Sequence, residues 1–216
     1  MLNASSEFRR LVSENSHVLL KAALTFGDGT TVNLSESDFM AGSASFSEAT
    51  SASGRFSIGA AVIGKFECEL DNSDGRFDDY DFTGAMLSPS VGVELSGGTV
   101  EWLLKGYYGV QQPDSYSDVI RLEAYDNMRK LERPYSDVPT VYPATLGAIV
   151  RDICTTCGVT LLTTTFGNST YAVQERPDDS GTLTCQAVLS YAAQASGNFA
   201  DVDVNGWLRI RWYDPQ

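Results

Sequence analysis

The sequence predicts an α+β protein. An antiparallel β-barrel or sandwich-like domain spans residues 1–133, and a smaller α/β domain with two helices spans 134–216. Three observations carry this reading. Up to about Leu131, short alternating apolar stretches are separated by glycine-rich turns, the pattern of many short strands. Three of the seven prolines (Pro134, Pro139 and Pro143) then fall within ten residues. Proline lacks an N–H and biases its predecessor toward extended geometry, so this stretch is the predicted boundary. Beyond it the apolar period becomes helical.

Taken in order, His17–Phe26, the turn Gly27-Asp28-Gly29 and Thr31–Leu34 read as a hairpin. Lys65–Leu70 alternates strictly, with Phe66, Cys68 and Leu70 directed inward and the charges outward. Val91–Leu95, Val100–Lys105 and Val119–Tyr125 continue the pattern, the last with Ile120, Leu122 and Ala124 on one face. In the second domain, Leu146, Ile149, Val150, Ile153 and Cys157 form an apolar stripe that Gly158 ends, and Val159–Thr163 reads as a strand. The unit then repeats. Cys185, Val188, Leu189 and Ala192 form a second stripe, with Thr182 or Thr184 as its cap and Gly197 at its end. The closing hairpin turns at Asn205-Gly206. A three-residue loop pairs Val202 with Leu208 and Ala200 with Ile210, which separates apolar from polar faces better than a two-residue loop does.

Composition limits the function classes. Of 216 residues, 43% are hydrophobic, 11% aromatic and 20% charged, the make-up of a folded chain rather than a disordered one. No apolar run approaches the roughly 18 residues of a membrane helix, and the first ten residues lack the apolar core of a secretion signal. The expectation is therefore no membrane anchor and no export by a signal peptide. Fifteen basic against 28 acidic residues give a net charge of −13, which disfavours binding to phosphate backbones. The densest stretch, Glu67 to Asp81, holds seven acids and one base.

The candidate chemistry is thin. Cys154-Thr-Thr-Cys157 has the spacing of a thiol or zinc motif, but it falls in the last turn of a predicted helix, where the dipole opposes thiolate. Zinc would need further ligands, and Cys68 and Cys185 are isolated in sequence. Cys154 and Cys157 are therefore expected to be structural. Asp71-Asn-Ser-Asp-Gly-Arg-Phe-Asp-Asp-Tyr-Asp81 resembles a calcium loop, but the position of the first EF-hand ligand, five before Gly75, is Leu70. A solvated acidic turn is the expectation. His17 is the only histidine, so any Ser or Cys triad would depend on it. No phosphate-binding glycine loop is present. Trp102, Tyr107, Tyr108, Trp207 and Trp212 are candidates for lining a sugar cleft, as in a carbohydrate-binding module attached to a cell-wall hydrolase. No catalytic, cofactor-binding or metal-ligating residue is predicted.

Several stretches together resemble the tail minor structural proteins of phages and prophages of Gram-positive bacteria. They are Thr50-Ser-Ala-Ser-Gly-Arg-Phe-Ser-Ile-Gly-Ala60, Leu70-Asp-Asn-Ser-Asp-Gly-Arg-Phe77, Tyr80-Asp-Phe-Thr-Gly-Ala85, Val100-Glu-Trp-Leu-Leu-Lys-Gly106, Tyr125-Asp-Asn-Met128, Tyr142-Pro-Ala-Thr-Leu146 and Val150-Arg-Asp-Ile-Cys-Thr-Thr-Cys-Gly-Val159. More remotely, the second helix and closing hairpin are similar to part of contractile-tail baseplate hubs. The resemblance implies a hub protein: a barrel-like domain, an α/β domain and usually a second barrel, with three copies forming a ring between tail tube and tip. It implies self-association and contacts with a tube or distal tail ring, a tape measure and a spike or receptor-binding protein, in a virion tail assembled in the host cytoplasm. The family brings no catalytic residues to this part. The residues after Asp214 leave no room for a second barrel, so the expectation is the N-terminal part of a longer protein.

Overall fold

The computed structural model describes residues 4–14, 16–47, 58–177 and 181–212. Residues 50–57 of the Thr50–Ala60 motif and the chain end 213–216 lie outside the described residues. The chain forms two compact units. One comprises Met1–Phe46 and Lys65–Ala124, the other Ser47–Gly64 and Tyr125–Gln216.

The first unit opens with α1 (Ser6–Ser13), a short helix that the sequence pattern did not reveal. Ser5 caps it by accepting from the Phe8 N–H at 3.0 Å, and Phe8 is its one buried residue. The strands follow as β1 (Leu19–Thr25), β2 (Thr31–Leu34), β3 (Ser45–Ser47), β4 (Lys65–Asp71), β5 (Met86–Glu94), β6 (Val100–Leu104), β7 (Tyr108–Val110) and β8 (Val119–Tyr125). They make one eight-stranded sheet in the order β2-β1-β5-β7-β8-β4-β3, with β6 paired to β5 beside β7. The β1–β2 hairpin is the predicted one. Thr25 pairs with Thr31, and Gly29 at φ +88° closes the turn. Alternation also holds in β4 and β8: Phe66, Cys68, Leu70, Ile120, Leu122 and Ala124 are all buried in one core with Leu24, Phe77, Phe82 and Leu87.

The sheet is open, which corrects the expectation of a barrel. Closure would require β2 to pair with β3. Instead the chain leaves β2 through a single 3-10 turn at Glu36–Asp38 and makes one antiparallel bridge, Phe39 with Leu70. That short crossing meets the β4 side of the sheet for only one residue pair, so no ladder continues around.

The second unit contains β9 (Ala144–Thr145), α2 (Leu146–Cys157), β10 (Ala172–Val173), α3 (Cys185–Ala195), β11 (Phe199–Val202) and β12 (Leu208–Arg211). The α2 stripe is buried, Thr145 caps the helix through the Ala148 N–H, and Gly158 at φ +65° ends it in the left-handed conformation. Thr184 caps α3 in the same way, and Cys185, Val188, Leu189 and Ala192 face the core that α2 faces. The expected Val159–Thr163 strand is overturned. The chain bends at Leu162, leaving a one-residue parallel bridge between Leu161 and Leu208. The closing hairpin adopts the three-residue loop. Val202 pairs with Leu208 and Ala200 with Ile210, and Gly206 sits at φ +79°.

The crossover segment 58–64 is threaded into this unit. Ala61 bridges Ala200 in parallel, the Ala200 N–H donates to the Ala60 carbonyl at 2.8 Å, and Gln186 Nε2 donates to the Ala61 carbonyl at 2.7 Å. The proline-rich stretch is also tied down. Arg176 donates to the carbonyls of Tyr135, Val138 and Thr140 at 2.7, 3.0 and 3.3 Å while its guanidinium lies over the Tyr135 ring.

Candidate functional site: thiols, acidic turns and aromatics

The structure brings together three of the four cysteines. Cys154 and Cys157 occupy the last turn of α2, and Cys185 is the first residue of α3; all three are buried in the core of the second unit. The Cys185 thiol donates to the Pro134 carbonyl at 3.8 Å, and Cys157 is near enough for the two thiols to act on each other's ionisation. Burial pushes the Cys154 and Cys185 thiols up to about 12. Burial raises Cys157 too, but the neighbouring Cys185 thiol and the Arg133 charge work against it. Cys68 lies apart, in the core of the first unit. Among the described residues, no group of three or more His, Cys, Asp or Glu side chains is placed to hold a metal ion. The Cys157–Cys185 meeting was missed because 185 has no cysteine near it in sequence. The usable signal was that both residues sit on apolar stripes, and the two stripes share one core.

The acidic stretch after β4 is a series of turns organised by Asn72, which is 3% exposed. Its Nδ2 donates to Asp78 Oδ1 at 2.8 Å and to the Ser117 carbonyl at 3.0 Å, while its Oδ1 accepts from the Phe77 N–H at 2.9 Å. The aspartates act mostly on their own turns. Asp71 accepts from the Ser73 N–H, Asp74 from the Arg76 N–H and Asp81 from the Thr83 N–H. The Ser73 N–H, with its hydroxyl, holds the Asp71 carboxyl below the ordinary carboxylate range, and the Thr83 hydroxyl, with its N–H, does the same for Asp81. Asp74, Asp78 and Asp118 rim a shallow cavity of about 440 Å³ with Asn72 and Tyr116.

His17 is exposed just before β1, with Nε2 3.2 Å from Glu36 Oε1. The candidate aromatics are divided between the two units. Tyr108 is a core residue at 3% exposure, packed near Phe66 and Phe46. Trp102 lies flat on β5 with the Lys21 ammonium 4.2 Å from its ring centre, beside a cavity of about 300 Å³ lined also by Leu19, Asn33 and Glu36. Tyr107 is exposed in the first unit, whereas Trp207 and Trp212 are exposed in the second, at opposite ends of β12. Five positions separate those two, roughly 16 Å of extended chain.

Fold and surface thus define an α+β protein built on an open antiparallel sheet, with aspartates of its acidic 71–81 stretch engaged in turns. No protein-family model and no curated protein sequence matches the chain. Among solved structures, its fold is similar to that of the 43 kDa tail protein of prophage MuSo2 from Shewanella oneidensis, with a TM-score of 0.56 at 18% sequence identity. The likeness covers 90% of this chain and 56% of that protein, so the chain spans little more than half of its neighbour's length. At this identity the shared property is the fold.

Proposed function

We propose that the chain is a structural component of a phage or prophage tail, a hub-like ring protein connecting the tail tube to the tip or baseplate. The observation that carries this is the likeness to a prophage tail protein over 90% of the chain. The surface supports a role in assembly. Val141, Tyr171, Tyr191, Trp207 and Trp212 stand exposed on the second unit as apolar contact area, at exposures from 42% to 83%. In this reading three copies meet head to tail, two different patches of each touching, and the ring also contacts the tube or distal tail ring, tape measure and spike. The protein then resides in the virion tail after synthesis in the host cytoplasm.

Gold-labelled antibody against the chain, viewed on induced phage particles by negative-stain electron microscopy, is expected to mark the tail end distal to the head. Sedimentation of the full-length protein is expected to give trimers at micromolar concentration. Unlabelled tails together with a protein that stays monomeric would overturn the reading.

A further inference from the structure

We propose that Asn205 is a deamidation site that the fold holds in check, intact while the closing hairpin is seated and converted irreversibly once its turn opens. Of the eight asparagines in the chain, Asn205 is the one followed by glycine. Deamidation begins when the next residue's backbone nitrogen attacks the asparagine Cγ, and glycine, lacking a side chain, hinders that approach least. Asn205 stands exposed in the turn between β11 and β12, so solvent reaches its amide, whereas Gly206 is buried.

Both reacting groups are tied down. The Gly206 N–H donates to the Asp203 carbonyl at 2.9 Å, and Asn205 Nδ2 donates to Asp203 Oδ2 at 3.2 Å. Asp203 Oδ1 accepts from the N–H groups of Asn205 and Trp207, both at 2.9 Å. The Gly206 carbonyl in turn accepts from Asn127 Nδ2 at 2.7 Å, and a Cβ at position 206 would stand 2.8 Å from that nitrogen. Asn127 opens the 3-10 helix Asn127–Glu132, so the restraint comes from a second element of the same unit. Attack on Asn205 Cγ requires the Gly206 N–H to give up Asp203 and lose its proton, and the Asn127 contact resists that shift. The reaction therefore waits on local opening of the turn.

The chemistry needs only water. The Gly206 nitrogen bonds to Asn205 Cγ, the Cγ–Nδ2 bond breaks, and Nδ2 leaves as ammonia, carrying the proton that Gly206 gave up to solvent. Water then opens the resulting succinimide at either carbonyl, giving aspartate or isoaspartate. Isoaspartate adds a methylene to the backbone between 205 and 206, which disturbs the loop that sets Val202 opposite Leu208. Either product also places a carboxylate where the Asn205 amide had donated to Asp203. A chain converted while open thus loses contacts that closed the turn.

The test ages the full chain in mildly alkaline buffer, folded and in guanidinium chloride, and follows the peptide containing residue 205 by mass spectrometry. Electron-transfer fragmentation separates aspartate from isoaspartate. In denaturant, Asn205 should convert before any other asparagine, and in the folded chain at least about tenfold more slowly. Folded Asn127→Ala should convert about fivefold faster than the folded wild type, the effect of one lost hydrogen bond on the open population. After removal of denaturant, the isoaspartate fraction should melt lower than the unaged chain, and Asn205→Gln should abolish that loss. Equal rates in the folded and unfolded chain, an unchanged rate in folded Asn127→Ala, or an isoaspartate fraction that refolds with an unaltered melting temperature would overturn the inference.

Discussion

Gly92 on β5 and Trp102 on β6 are register partners, and the indole lies directly on the glycine: a Cβ at 92 would stand 2.7 Å from the Trp102 ring. The missing side chain is what lets the ring lie flat across β5 toward Lys21, whose ammonium sits over it. Gly92→Ala should therefore lift the indole off the sheet. The expected cost is about 1–3 kcal/mol in urea unfolding, the range for overpacking a well-filled site. In Trp102→Ala the same Gly92→Ala change should cost far less, because the clash is gone. Equal costs in the two backgrounds would contradict this packing.

Asn72 holds together the acidic turn after β4 and the approach to β8. Replacing it with alanine removes all three of its side-chain hydrogen bonds and leaves the buried Phe77 N–H without its acceptor. Asn72→Ala is expected to cost about 2–3 kcal/mol. Asn72→Asp keeps an acceptor for Phe77 but sets a second carboxylate against Asp78, so it should also destabilise, more at pH 7 than at pH 4. Chemical denaturation of both variants checks this. A loss under 0.5 kcal/mol for the alanine variant would remove Asn72 as the organiser.

Much of the fold was legible because the signals were local. The Phe66-Cys68-Leu70 alternation, the Gly158 cap and the Val202–Leu208 register each follow from residues a few positions apart, and each is found. What was not legible depended on distant partners. An eight-residue helix such as α1 is too short to show a period, and it is held partly by Ser5 hydrogen-bonding Glu101, 96 residues away. Sheet closure turns on a pairing between remote edges, which periodicity does not encode. The shared core of Cys157 and Cys185 was invisible for a similar reason: helical period places both on apolar stripes, but only tertiary packing sets the two stripes against each other.

Two left-handed glycines separate conformational strain from crowding. Gly59, at φ +89°, lies so close to α3 that a Cβ would meet the Gln194 Cβ at 2.6 Å and the Ser190 carbonyl oxygen at 2.9 Å. Gly158, at φ +65°, has nothing within 4 Å of the same position. Gly158→Ala should cost about 1 kcal/mol, the backbone penalty alone. Gly59→Ala carries that penalty plus a clash with helix backbone, and should exceed it by at least about 2 kcal/mol. Comparable losses for the two would mean that segment 58–64 is not seated against α3 as described.

Cys68 makes the stability of the first unit depend on alkaline pH. It is 1% exposed, and burial, with the Glu69 charge adding to it, pushes its thiol up to about 12. In the unfolded chain a cysteine ionises near its ordinary value of about 8.5. Above that pH the unfolded state releases a proton that the folded state retains, so ionisation favours unfolding. The contribution is fully present below about pH 8.5 and is lost as pH rises toward 12, at up to about 1.4 kcal/mol per pH unit. Cys68→Ala removes the titrating group and leaves a small cavity, costing about 1 kcal/mol at pH 7. The other titrating groups are common to both proteins, so the difference between them isolates Cys68. That difference should shrink above pH 8.5, with about 2 kcal/mol transferred by pH 10, enough to make the alanine variant the more stable of the two. Urea unfolding of both proteins under a phosphine reductant at pH 7, 8.5 and 10 measures it. A difference that stays constant across that range would show that the Cys68 thiol ionises alike in the folded and unfolded chains.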